Sequence, residues 1–155
     1  MDTALERPQW RFTANYRLHP KLQAGVEVNP RAQEVGPLLT LFVVTETDAR
    51  PALFVGTSSD RIGSPKGERS YYATASKYLP LLHTSFYGSL NYSEWDRAVN
   101  LPLGATVEIG QGVSIRPMFD GDRGHLLLNY FTAQYGVSLM YVWFERLGLA
   151  CAVGF

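Results

Sequence analysis

Apolar and polar residues alternate with a period of two through most of the 155 residues, and helical periodicity is nearly absent. The chain therefore reads as strands joined by turns. The first strand is the clearest: Trp10, Phe12, Ala14, Tyr16 and Leu18 point one way, and Arg11, Thr13, Asn15 and Arg17 point the other. After His19-Pro20-Lys21, a second strand sets Leu22, Ala24, Val26 and Val28 against Gln23, Gly25, Glu27 and Asn29. Glu27 then falls within cross-strand or diagonal reach of the arginines on its neighbour. Leu38 to Thr47 and Ala52 to Thr57 are apolar on both faces, which leaves their register open. Ser70 to Tyr78 follows, then a strand with Leu82, Thr84, Phe86, Gly88, Leu90 and Tyr92 on one face. Ala105, Val107 and Ile109 alternate with Thr106 and Glu108 before Gly110-Gln111-Gly112, a hairpin in which glycine is free to adopt positive φ. A three-residue loop there keeps Glu108, Ser114 and Arg116 on one face. Leu126 to Tyr135, Val137 to Phe144 and Leu147 to Phe155 complete the set.

This makes about eleven strands of roughly 7 to 12 residues, close to the 9 to 11 of a tilted membrane-crossing strand. Aromatic residues recur near strand ends, among them Trp10, Tyr16, Tyr71, Tyr92, Trp95, Tyr130, Tyr135 and Trp143, as interfacial girdles require. Connections alternate in length. Those near Pro20, Asp48-Ala49-Arg50, Pro80, Gly110-Gln111-Gly112 and Tyr135-Gly136 are short. Those at Pro30 to Pro37, Ser58 to Arg69, Trp95 to Pro102 and Asp120 to Gly124 are longer and more polar, the arrangement of short periplasmic turns and long external loops. Only the Glu145-Arg146 turn departs from it. The expected fold is all-β: an antiparallel up-and-down transmembrane β-barrel of about 10 to 12 strands. Residues 1–8 form an N-terminal extension and 9–155 a single barrel domain. Counted back from a periplasmic C-terminus, the Trp10 strand begins outside, so an even-stranded barrel implies a missing N-terminal strand or one misplaced strand.

The final strand carries a family resemblance. Leu147, Leu149, Cys151, Val153 and Phe155 occupy every second position, with phenylalanine at the last residue. This resembles the C-terminal strand signal of Gram-negative outer-membrane β-barrel proteins, which the family's assembly machinery recognises by adding it to a sheet edge. The resemblance implies outer-membrane localisation, surroundings of outer-membrane lipid and lipopolysaccharide, and dependence on that machinery. Leu147, Leu149, Val153 and Phe155 are the expected assembly signal.

Composition adds limits. Lys+Arg and Asp+Glu both number 14, giving no net charge and no basic excess for nucleic acid. No apolar run reaches the roughly 18 to 20 residues of a spanning helix. The first eight residues lack the basic and apolar regions of a signal peptide, so export of this chain implies a removed or upstream leader. The lone Cys151 and the histidines His19, His83 and His125 show no metal-site spacing, so neither metal nor cofactor is expected.

Candidate chemistry is sparse. The expected inward polar network is Arg11, Arg17, Glu27, Lys77, Glu94, Glu108 and Arg116, whose mixed signs demand pairing or water. Such a lumen is a closed plug or a narrow aqueous path, and the strand number favours the plug. His125 follows Asp120-Gly121-Asp122-Arg123-Gly124, so an aspartate could orient it, and His83 shares a face with Ser85 and Asn91. The loop with Asp60, Arg61, Lys66, Glu68 and Arg69 offers cations to anionic head groups. The functional expectation is an outer-membrane scaffold, surface-contact protein or narrow pore without catalytic residues. A lipid-modifying barrel enzyme and a soluble β-barrel binding an apolar ligand stand as alternatives.

Overall fold

The computed structural model describes residues 11–61 and 63–154. The expected N-terminal extension, Trp10 and Phe155 lie outside them. The strands are β1 (Phe12–His19), β2 (Leu22–Asn29), β3 (Glu34–Val44), β4 (Ala52–Ser59), β5 (Arg69–Leu79), β6 (Thr84–Ser93), β7 (Ala98–Asn100), β8 (Leu103–Gly110), β9 (Val113–Phe119), β10 (Gly124–Phe131), β11 (Tyr135–Val142) and β12 (Arg146–Val153). A 3-10 turn spans Pro80–Leu82, and among the described residues there is no α-helix. No helix is long and apolar enough to cross a membrane, which says nothing of crossing by strands.

The strands form one antiparallel up-and-down sheet in sequence order, with β7 paired to β6 beside the main path. β7 and β8 occupy the same side of β6. Asn91 pairs with Asn100 and Gly88 with Leu103, so the two ladders share one register. The Ser89 amide also bonds the Pro102 carbonyl at 2.8 Å. They are one strand nicked at Pro102, whose ring nitrogen cannot donate. The eleven expected strands and the twelve observed segments thus describe the same chain path. Among the described residues no ladder joins β12 to β1, so the sheet is not closed.

Three connections differ from expectation. Pro30 to Pro37 is not a long loop. The turn is Pro30 to Gln33, closed by the Gln33 amide on the Pro30 carbonyl, and β3 already runs through Gly36 and Pro37. Pro37 pairs with Val26 of β2, while the β3–β4 ladder starts only at Leu39, so its missing N–H forfeits no bond on that side. Tyr135 and Gly136 begin β11, and the turn is Thr132 to Gln134, where the Thr132 amide bonds the Tyr135 carbonyl and the Thr132 hydroxyl caps the Tyr135 amide. The last hairpin turns at Trp143-Phe144, both in the left-handed region at φ 55°.

The chain divides into two compact units, Met1–Ala75 with Leu90–Asn100, and Ser76–Ser89 with Leu101–Phe155. Strand by strand, burial is opposite to that of a water-soluble protein. Among the described residues no hydrophobic side chain is buried, whereas twelve polar or charged residues are, including Glu27, Asn29, Asp60, Ser93, His125 and Asn129. Along β3, Val35, Pro37, Leu39, Leu41 and Val43 are exposed, and Glu34, Gly36, Leu38, Thr40, Phe42 and Val44 are partly covered. The exposed apolar row from Val35 to Val43 is about 26 Å long at the rise of an extended strand.

The covered face of the first unit explains why the middle strands read as apolar on both sides. Arg17 stacks on Phe42 at 4.6 Å, Phe42 meets Phe54 at 6.0 Å, and Phe54 meets Tyr72 edge-on at 6.4 Å. Rings fill the covered side near the short turns, and aliphatic residues cover the other face.

In the second unit, aromatic rings lie over cross-strand glycines. Tyr87 pairs with Gly104, and a Cβ on Gly104 would meet the Tyr87 ring at 2.8 Å. Phe131 likewise covers Gly136, its direct partner. The small face of β12, Gly148, Ala150 and Ala152, pairs instead with Met140, Ser138 and Gly136.

Candidate functional site

Two polar clusters occupy the covered faces, one in each unit. In the first, β2 delivers Glu27 and Asn29 side by side. Glu27 is 2% exposed and accepts hydrogen bonds from Asn29 Nδ2 at 2.7 Å and Ser59 Oγ at 2.6 Å. The Arg11 guanidinium approaches the other carboxylate oxygen at 2.6 Å. Opposite charge and two donors are what a carboxylate needs at that depth. Asn29 Oδ1 is buried with no protein partner.

Beyond this group the loop between β4 and β5 is tied to the turn after β6. Asp60 accepts from Ser93 Oγ at 2.6 Å and from its neighbour's amide, Arg61 N, at 2.8 Å. Arg61 forks onto Asp96, with nitrogen–oxygen distances of 2.7 and 3.0 Å, and stacks on Trp95 at 5.0 Å. Arg69 donates to Thr57 Oγ1 and to the Pro37 carbonyl. Two of the cations expected to meet anionic head groups are therefore engaged within the protein.

In the second unit His125 and Asp120 form a pair, Nε2 to Oδ2 at 2.8 Å, with His125 5% exposed. Burial pushes the Asp120 carboxyl up. The hydrogen bond from His125, the backbone amides of Arg123 and Asp122, and the proximity of the imidazole outweigh that and hold it at about 2. The loop is thus an Asx-type turn closed on a histidine. Arg123 stacks on Trp143 at 4.7 Å beside it. The sequence reading that an aspartate could orient His125 matches this geometry. A nucleophile is another matter: Ser114 and Ser138 pair with Asn129, four residues from His125 along β10 and about 13 Å away. The arrangement pairs an imidazole with a carboxylate, and it lacks a hydroxyl from those serines in reach.

The expected inward residues separate into groups. Arg11, Arg17 and Glu27 share the covered face of the first unit. Glu108 and Arg116 lie on the same face as Ser114 in the second but are themselves exposed: Glu108 accepts the Tyr78 hydroxyl at 3.0 Å, and Arg116 donates to Thr106 at 2.8 Å. Lys77 neighbours Tyr78 on an extended strand and so projects to the opposite, apolar face. Glu94 accepts from the Tyr71 hydroxyl at 3.0 Å and from the Arg69 amide at 2.9 Å, and Tyr71 belongs to the exposed face. Glu94 therefore does not join Glu27. Of the assembly signal, Leu147, Leu149 and Val153 are exposed on β12, and Phe155 lies outside the described residues.

Alternation along the chain places Ser93 on one face with His83 and Asn91, but it does not mark Asp60 and Asp120, which lie in loops, as inward residues. Short polar residues next to turns read as loop material, and only strand pairing turns them inward. No family model, curated protein or solved structure matches the chain.

Proposed function

We propose that the protein is an outer-membrane β-barrel acting as a scaffold or surface-contact protein, with a lumen closed by paired polar groups. One observation carries this reading: the described residues bury twelve polar side chains and no hydrophobic one, while aliphatic and aromatic rows face outward. In water that distribution forfeits about 1.5 to 3 kcal/mol for each large apolar side chain left uncovered. In a bilayer it costs nothing, because the hydrocarbon is the apolar solvent. The exposed row on β3 matches the apolar band of about 25 Å typical of such barrels. Lipid and lipopolysaccharide are then the surroundings, and the terminal strand is the segment offered to the assembly machinery.

A closed lumen rather than a conducting one is favoured by the engagement of Glu27 with Arg11, Asn29 and Ser59, and of Asp60 with Ser93. Purification with and without detergent tests the membrane reading. The expected result is aggregation without detergent and a folded, monodisperse species with it. A monodisperse folded protein in plain buffer would refute it. Planar-bilayer recordings then distinguish the plug from a narrow pore, since steady conductance is incompatible with a closed lumen.

A further inference from the structure

A shallow groove crosses the exposed face of the first unit. Leu39 and Leu41 of β3, Val55 of β4, Ala73 of β5, Leu90 of β6 and Val99 of β7 line it. Its tyrosines, Tyr71 and Tyr92, lie at the ends of β5 and β6 that meet the long polar connections, so the groove occupies the part of the apolar face nearest those loops. The groove is wide. Five neighbouring strands contribute to it, about 19 Å across at the spacing of paired strands and several times the breadth of one acyl chain. Its rim also carries a cation at each flank. Lys66 precedes Gly67, whose amide is fixed to Glu34 at the head of β3 at 2.8 Å, and Arg97 precedes β7. Both are exposed, and among the described residues neither is in an ion pair. The acids of the β6–β7 turn are already served: Asp96 by Arg61, and Glu94 by the Tyr71 hydroxyl and the Arg69 amide.

We infer that this groove is a seat for the lipid anchor of lipopolysaccharide, a disaccharide with a phosphate at each end and several acyl chains. The inference rests on the membrane reading above, under which the long loops face outward into the lipopolysaccharide, and it gives that lipid a defined site. The acyl chains lie side by side over Ala73. One phosphate meets Lys66 and the other meets Arg97, through charge-assisted hydrogen bonds. The sugars lie along Tyr71, Tyr92 and Trp95, rings suited to the boundary between hydrocarbon and head groups. A glycerophospholipid has one phosphate and two chains. It can satisfy one flank and part of the width, so the selectivity resides in the pair of cations and the breadth of the groove.

Native mass spectrometry of the full chain in detergent micelles tests this, with equimolar bisphosphorylated lipid A and phosphatidylglycerol added. The wild type should retain lipid A in preference. One cation near an anionic surface contributes about fivefold, so Lys66→Gln and Arg97→Gln should each lower lipid A retention by about that factor. Monophosphoryl lipid A should be retained about fivefold less than the bisphosphorylated form by the wild type, and one of the two variants should bind both forms equally. Ala73→Leu, on the exposed face, should fill the groove and reduce lipid A retention. Equal retention of phosphatidylglycerol and lipid A, or lipid A retention unchanged in both cation variants, overturns the inference and leaves the membrane reading standing. A doubled mass lost in Ala73→Leu would assign the groove to a second copy and also overturn it. A protein that stays folded without detergent and retains neither lipid overturns both readings.

Discussion

Replacing Glu27 with alanine probes the inverted interior most directly. The substitution removes a carboxylate that is 2% exposed and takes the acceptor from Asn29 Nδ2, Ser59 Oγ and Arg11 at once. Arg11 is 42% exposed and can turn to solvent, so its loss is small. Asn29 cannot, being 2% exposed with its Oδ1 already unpartnered. Two hydrogen bonds to a charged acceptor disappear, at about 1.5 to 3 kcal/mol each, with some return as Ser59 finds water. The expected loss is about 3 to 5 kcal/mol, the range for breaking a buried ionic group from one side. Glu27→Gln should lose about 1 to 2 kcal/mol, because its amide oxygen still accepts from Asn29 and Ser59 while its amide nitrogen faces Arg11. The assay is urea unfolding in a fixed detergent, followed by tryptophan fluorescence. With a slope of about 2 kcal/mol/M, the alanine variant's midpoint falls by roughly 2 M. A shift corresponding to less than about 1 kcal/mol would mean that Glu27 is hydrated, and the account of a sealed polar interior would fail.

Other expectations follow from the same geometry. Leu128 and Leu139 pair across β10 and β11, both about half exposed, so Leu139→Arg should cost about 2 to 4 kcal/mol in lipid and almost nothing if the face meets water. Lipid-vesicle folding titrations of that variant decide between the two. Asp120 is held at about 2 in the folded protein, so its stabilisation is complete above its ordinary value of 3.8 and is lost as pH falls from 4 through 2. The shift corresponds to about 2 kcal/mol before solvent screening and about 1 kcal/mol after it. Asp120→Asn should flatten the acid limb of the stability profile over that window, and an unchanged limb would exclude the pair as its source. Gly104→Ala should destabilise by about 1 to 3 kcal/mol, because its Cβ would meet the Tyr87 ring at 2.8 Å and the Pro117 carbonyl at 2.9 Å. Gly88→Ala, with open space around it, should be neutral or slightly stabilising. Thermal melts of the two variants side by side check the contrast.

Much of the strand architecture was legible because its cause is local. Side chains alternate across an extended backbone, so the β1 and β2 faces could be assigned from residue order alone, and the structure pairs Thr13 with Glu27 and Asn15 with Gly25. The glycine hairpin after β8 was legible for the same reason. Gly110 and Gly112 take φ of 124° and 79°, and a Cβ on Gly112 would collide with the Phe131 carbonyl. Proline and glycine misled where a strand tolerates them. Pro37 sits where one ladder has not begun, a circumstance set by a neighbouring strand.

The site residues divide along the same line. Arg11, Arg17 and Glu27 could be placed together from alternation and a short turn. Lys77 and Glu94 could not, since their side depends on the phase of β5 and on how the chain leaves β6. The tie from Asp60 to Ser93 spans 33 residues, and Arg61 meets Asp96 across 35. Nothing local in the sequence marks either pair. Sequence alone determined the period of two, and with it which residues of β1 and β2 share a face, because these follow from the geometry of one extended chain. Tertiary structure alone decided which of the polar side chains are buried and which meet, because burial depends on what the neighbouring strands place opposite each residue.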